Sequence, residues 1–213
     1  MLKLFYSPGA CSLVSHIALE EAGADYDAIR LNLAAGDQAK PEYLAINPHA
    51  RVPALATDDG PITENIAILN FIADRFAKEG SVPRGDAFAA ARCNALLGWL
   101  ASSVHIAFAQ IFRPGRFVGD EGLYEAVQQG GRTALKGYFA EIESLCGDGW
   151  VGGDAYTAAD SYLLTFFRWA RRMEFDLNLF PRWAALVARA IERPAVLRAL
   201  EQEGLQPSEF TIS

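Results

Sequence analysis

The sequence predicts two parts of different fold class, an α/β part over residues 1–78 and an all-α part over 86–213, joined by a linker at 79–85. Three observations carry this expectation. Residues 2–33 alternate strand, helix and strand signals, a turn cluster at 58–61 separates two short β-capable runs, and beyond Gly80 apolar residues recur only at helical spacing.

Leu2 to Tyr6 is a short apolar run that Ser7-Pro8-Gly9 ends with turn chemistry. From Ser12, Leu13, Val14, Ile17 and Ala18 fall on one helical face, and Gly23 stands where a left-handed C-terminal cap is needed. Ile29, Leu31 and Leu33 then alternate with polar residues, the period of a strand with one buried face. These elements make a βαβ unit. Ala54 to Thr57 and Ile62-Thr63 flank Asp58-Asp59-Gly60-Pro61, which predicts an antiparallel pair, and Ile66, Leu69, Ala73 and Phe76 predict a helix after it.

In the second part Leu97, Leu100, Val104, Phe108 and Ile111 form an apolar stripe on a helix that should stop before Pro114. Tyr124, Val127, Leu135, Tyr138, Ile142 and Leu145 form another. Almost every residue from Tyr162 to Trp169 is apolar, which predicts a helix buried all round, and Pro181 and Pro194 suit the first turns of two terminal helices. Thr157-Ala158-Ala159-Asp160 is a capping pattern ahead of that buried helix, so Asp160 reads as a folding determinant.

Composition narrows the function. A net charge of −7 with no run of Lys or Arg argues against a nucleic-acid or membrane-surface partner. No signal-peptide pattern opens the chain, and no apolar stretch is expected to span a bilayer. Three widely spaced cysteines, Cys11, Cys93 and Cys146, fit neither a disulfide framework nor a zinc site, so no metal is expected and a reducing cytoplasm is the simplest setting.

Cys11 lies where a turn meets the first helix, and free helix-terminal amides there would favour a thiolate; a small buried thiol is the alternative. Val52-Pro53 opens a strand after an irregular segment, a place where a cis bond would present backbone groups to an extended peptide. Thr63-Glu64-Asn65 leads into a helix, where amide donors suit a carboxylate and Glu64 an ammonium, although capping explains the same residues. His105 stands beside the apolar stripe with Phe108 and Phe112, either as a packed residue or as a proton acceptor. His16 reads as structural.

Together, Leu4-Phe5-Tyr6-Ser7-Pro8-Gly9-Ala10-Cys11-Ser12-Leu13, Asn47-Pro48 with Val52-Pro53-Ala54-Leu55, Asp59-Gly60 with Thr63-Glu64, His105 with Phe112-Arg113-Pro114, Thr157 to Asp160, and Arg168-Trp169-Ala170 resemble the bacterial beta-class glutathione transferases over essentially the whole chain. The resemblance implies a thioredoxin-like N-terminal domain, a helical C-terminal domain and a homodimer. It implies glutathione as co-substrate, with no metal, held by Val52, Pro53, Glu64, Asn65 and His49. Cys11, Ser12 and His105 would carry catalysis, Ser12 by donating to sulfur, and Phe108, Phe112 and Trp169 would wall the acceptor site. The acceptor would be a small hydrophobic electrophile or a disulfide. His49 and Ile106 stand where relatives often have lysines, which predicts a less basic pocket, and Gly98 stands where many have asparagine. A glutathione-dependent dehalogenase or ether-cleaving enzyme, or a non-catalytic binding protein on the same fold, are the alternatives.

Overall fold

The computed structural model describes residues 1–76 and 80–212. The domain boundary expected at 78/79 falls on residues 77–79, outside the described residues. Strand β1 (Leu2–Tyr6) buries Leu2, Leu4 and Tyr6, leads into α1 (Ser12–Ala22) and pairs in parallel with β2 (Tyr26–Arg30). A short α2 (Pro41–Leu44) precedes β3 (Ala54–Thr57), which pairs antiparallel with both β1 and β4 (Gly60–Thr63). The sheet order is β2-β1-β3-β4, and α3 (Asn65–Phe76) packs with α1 on one face. Gly23 caps α1 at φ 61°, the left-handed geometry its position called for.

Two strand limits differ from the sequence expectation. β2 ends at Arg30 instead of continuing through Leu33, because Asn32 Oδ1 accepts from the Ala34 and Ala35 amides at 3.1 and 3.2 Å and turns the chain. Ile29 is consequently 36% exposed on an outer strand, while Leu31 is buried past its end. The second difference is that Gly60-Pro61 belongs to β4, with Thr57 paired to Gly60, so the turn is only Asp58-Asp59. Proline fits because β4 is an edge strand.

The helical part runs α4 (Ala87–Trp99), a π turn (Leu100–Val104), α5 (His105–Phe112), α6 (Tyr124–Leu145), α7 (Ala158–Arg172), α8 (Pro181–Ile191) and α9 (Pro194–Glu203). Asp86 caps α4 by accepting from the Phe88 and Ala89 amides. Leu97, Leu100, Val104 and Phe108 are fully buried, as the stripe predicts, and α7 is buried continuously from Ala158 to Ala170. Its capping box is complete: Asp160 accepts from the Thr157 amide at 2.8 Å and from the Val151 amide at 2.8 Å. The expectation of no bilayer-length stretch needs correction. The helical run Ala87–Phe112 is long and apolar enough by length and composition, since alanines fill it between few charges. In the fold its apolar stripe packs into the core, α5 against α6 and α4 against α7.

Candidate active site

The loop between β1 and α1 is held from the far end of the chain. Gly9 adopts φ +65°, its N–H donates to Glu203 Oε2 at 2.7 Å, and its carbonyl accepts from Trp169 Nε1 at 2.7 Å. A Cβ there would stand 2.2 Å from an Arg168 guanidinium nitrogen, so glycine is required twice over. Glu203 also accepts from buried His16 at 2.9 Å, which gives His16 the structural part its place in α1 suggested.

Cys11 caps α1 and is partly exposed, with Sγ donating to the Val52 carbonyl at 3.4 Å. The neighbouring amides are largely committed: Ala10 donates to Ser7 O, Leu13 to Ala10 O and Val14 to Cys11 O. Burial therefore outweighs the residual pull of the Cys11 amide and pushes the thiol up to about 12, helped by the negative charge of Glu64. The low-pKa thiolate expected at a helix N-terminus is not what this environment produces. Ser12 is corrected too. Its fully buried hydroxyl accepts from the Ser7 amide at 3.2 Å and donates to the Ser7 carbonyl at 3.3 Å, so it braces the turn and is not free to donate to sulfur.

The Val52-Pro53 bond is cis, and the Val52 N–H makes no hydrogen bond among the described residues. Glu64 has φ 68° at the junction of β4 and α3, where its exposed carboxylate has no partner among the described residues. Asn65 is buried and turned inward: Nδ2 donates to the Cys11 carbonyl at 2.8 Å, and Oδ1 accepts from Ser15 Oγ at 2.5 Å. Its side-chain donor is thus spent on α1. His49 is exposed beyond the cavities, its amide donating to Asn47 Oδ1, and the cation that reaches them from this segment is Arg51. Gly98 faces open space and lines neither cavity.

Two cavities meet at Cys11, Val52 and His105. The smaller, about 480 Å³, takes in Pro53, Glu64 and Asn65. The larger, about 620 Å³, is lined by Phe112, Trp169 and Leu33 and by several arginines. Phe108 lines neither. It is fully buried behind the wall, its ring centroid 5.3 Å from that of Trp169, because it falls on the core side of α5. His105 packs with ring centroids 5.2 Å from Trp169 and 6.2 Å from Phe166. Burial, then the charges of Arg116, Arg51 and Arg113, lower it to about 4, so the imidazole is neutral at physiological pH. Without lysines at His49 and Ile106 the larger cavity is still basic, since Arg51, Arg113, Arg116, Arg168 and Arg172 all line it. Arg113 and Arg168 belong to recognisable motifs, Phe112-Arg113-Pro114 and Arg168-Trp169-Ala170, while Arg51, Arg116 and Arg172 carry no spacing signal in the sequence.

A cysteine-bearing βαβ unit with a cis-proline strand edge, closed by a helical bundle that supplies an apolar wall, defines a two-domain thioredoxin-like transferase. Residues 1–74 match the family model of the glutathione S-transferase N-terminal domain, and residues 125–189 that of its C-terminal domain. Glutathione S-transferase GstA of Escherichia coli O157:H7 is 35% identical over 96% of this chain and 100% of its own. A Sulfitobacter glutathione transferase homologue solved with bound glutathione superposes with a TM-score of 0.89 at 32% identity, covering 97% of this chain and 99% of that one. The beta-class enzyme of Sphingomonas chungbukensis gives 0.84 at 35% identity over 96% and 100%. The chain belongs to the glutathione S-transferase family.

Proposed function

We propose that this enzyme conjugates the glutathione thiol to an electrophile, with glutathione in the smaller cavity and the electrophile in the larger. The junction of the two cavities at Cys11, Val52 and His105 carries the reading, because a sulfur placed there faces both. The free Val52 N–H and its carbonyl suit the cysteinyl backbone, the Asn65 N–H the γ-glutamyl carboxylate, and the unpaired Glu64 carboxylate the ammonium. Neutral His105 accepts the thiol proton, and Phe112 and Trp169 hold the apolar body of the acceptor.

Cys11 supports a second reaction. Its thiolate attacks the glutathione sulfur of a mixed disulfide, forming a Cys11-glutathione disulfide and releasing the substrate thiolate, which takes up a proton. A second glutathione thiolate then attacks that bond, returning Cys11 and releasing glutathione disulfide. Cys11→Ala separates the two: conjugation of an aryl halide persists, while disulfide exchange stops. Exchange at full rate in that variant overturns the mixed-disulfide step, and failure of the unmodified protein to bind glutathione or turn over any electrophile overturns the transferase reading.

The reading extends to a cytoplasmic homodimer of two-domain subunits split at 78/79. Support comes from the exposed apolar residues of the first helical run, Phe88 at 73% and Ile106 at 43%. A sedimentation mass of one chain at micromolar concentration would reject the dimer.

A further inference from the structure

Among the described residues the larger cavity is lined by five arginines and no carboxylate, in a chain whose net charge is −7. Arg168 is answered, its guanidinium donating to Glu209 Oε2 at 2.7 and 2.9 Å. The side chains of Arg51, Arg113, Arg116 and Arg172 form no hydrogen bond or ion pair among the described residues, although Arg172 lies within the field of the Glu209 carboxylate that Arg168 engages. Their mutual repulsion is felt at the site: Arg116 is held below its ordinary value by burial and by Arg51 and Arg113. Glutathione supplies too little charge to satisfy them. Its γ-glutamyl carboxylate has the Asn65 amide, and its glycine carboxylate has Arg51, next to Val52 and bordering both cavities. Arg113 and Arg172 line only the larger cavity. They share that lining with Phe112 and Trp169, so the cavity offers both an apolar aromatic surface and unpaired cations.

Resting on the transferase reading, we propose that the preferred acceptor is an anionic aromatic electrophile, its ring against Phe112 and Trp169 and its carboxylate or sulfonate at Arg113 and Arg172. With a chloro-dinitrobenzoate as acceptor, the glutathione thiolate forms the new C–S bond at the ring carbon. Chloride leaves with the C–Cl electron pair, the thiol proton passes through His105 to solvent, and the carboxylate is unchanged.

The test compares 4-chloro-3,5-dinitrobenzoate with neutral 1-chloro-2,4-dinitrobenzene at saturating glutathione, each kcat/KM divided by the uncatalysed rate with glutathione. The corrected ratio should favour the anion by about tenfold, and fall as added salt screens the arginines. Arg113→Gln and Arg172→Gln should each lower it roughly fivefold, with Arg113→Lys restoring part, the amount one partly exposed charge pair accounts for. Calorimetry of the protein without glutathione, with 3,5-dinitrobenzoate against 1,3-dinitrobenzene, reads the same preference with neither turnover nor glutathione, so a failure of the transferase reading leaves this test intact. A corrected ratio of one or less, equal affinity for the two unreactive analogues, or variants that raise KM for glutathione while leaving the ratio unchanged would each overturn the proposal.

Discussion

The Trp169 indole N–H donates to the Gly9 carbonyl at 2.7 Å, tying α7 to the loop that presents Cys11. One side chain thus both lines the larger cavity and braces the loop that carries Cys11. Trp169→Phe keeps an aromatic wall but leaves the buried Gly9 carbonyl with only a distant Arg168 Nη1 at 3.5 Å. It should cost about 1–3 kcal/mol in urea unfolding. Gly9→Ala should cost at least as much, since it combines left-handed strain with the guanidinium clash. Wild-type stability in both variants would show that the loop is not held this way.

Cys11 in the unliganded enzyme should alkylate slowly at neutral pH, with a rate still climbing through pH 9, because burial holds its thiol near 12. A plateau below pH 8 would mean that the helix amides outweigh desolvation. Cys146, also raised to about 12 and buried, should react no faster, and partly exposed Cys11 should be reached first.

His105 has a folded pKa depressed from 6.5 to about 4. The neutral form is favoured by the fold, so its contribution to stability is complete above about pH 6.5 and is lost as pH falls towards 4. His105→Asn should remove that part of the acid destabilisation, at most about 3 kcal/mol, visible as a flatter stability profile over the same range. The pH-rate profile of conjugation should lack a histidine inflection near 6.5 in the unmodified enzyme. An inflection there that vanishes in His105→Asn would contradict the buried, arginine-flanked environment.

Asp160→Ala removes the acceptor of the Val151 and Thr157 amides at the head of the central helix. The expected loss is about 2–4 kcal/mol, from a missing cap and buried donors left unpaired. Asp160 lines neither cavity, so glutathione affinity of the folded fraction should be unchanged. A large affinity change at unaltered stability would give Asp160 a part in binding.

The elements are legible in the sequence because their signals are local. Gly23 directly follows the helix it caps, Asp160 lies three residues from Thr157, and the stripe from Leu97 to Phe108 repeats within one continuous helical run. The motifs around Cys11, Val52 and Glu64 are each local too, and the fold brings all three to the smaller cavity. Properties of individual side chains are another matter, because burial and charge depend on groups distant in sequence. Ser12 reads as free until the fold turns its hydroxyl onto Ser7, and Phe108 reads as wall until α5 rotates it behind Trp169. Cys11 is half a chain from Arg113 and 192 positions from Glu203, both of whose fields it feels, so desolvation and charge there could not be read from its helix terminus. The cationic lining arises in the same way: β3's approach, the end of α5 and the end of α7 each bring arginine to one cavity, and only their convergence makes it basic.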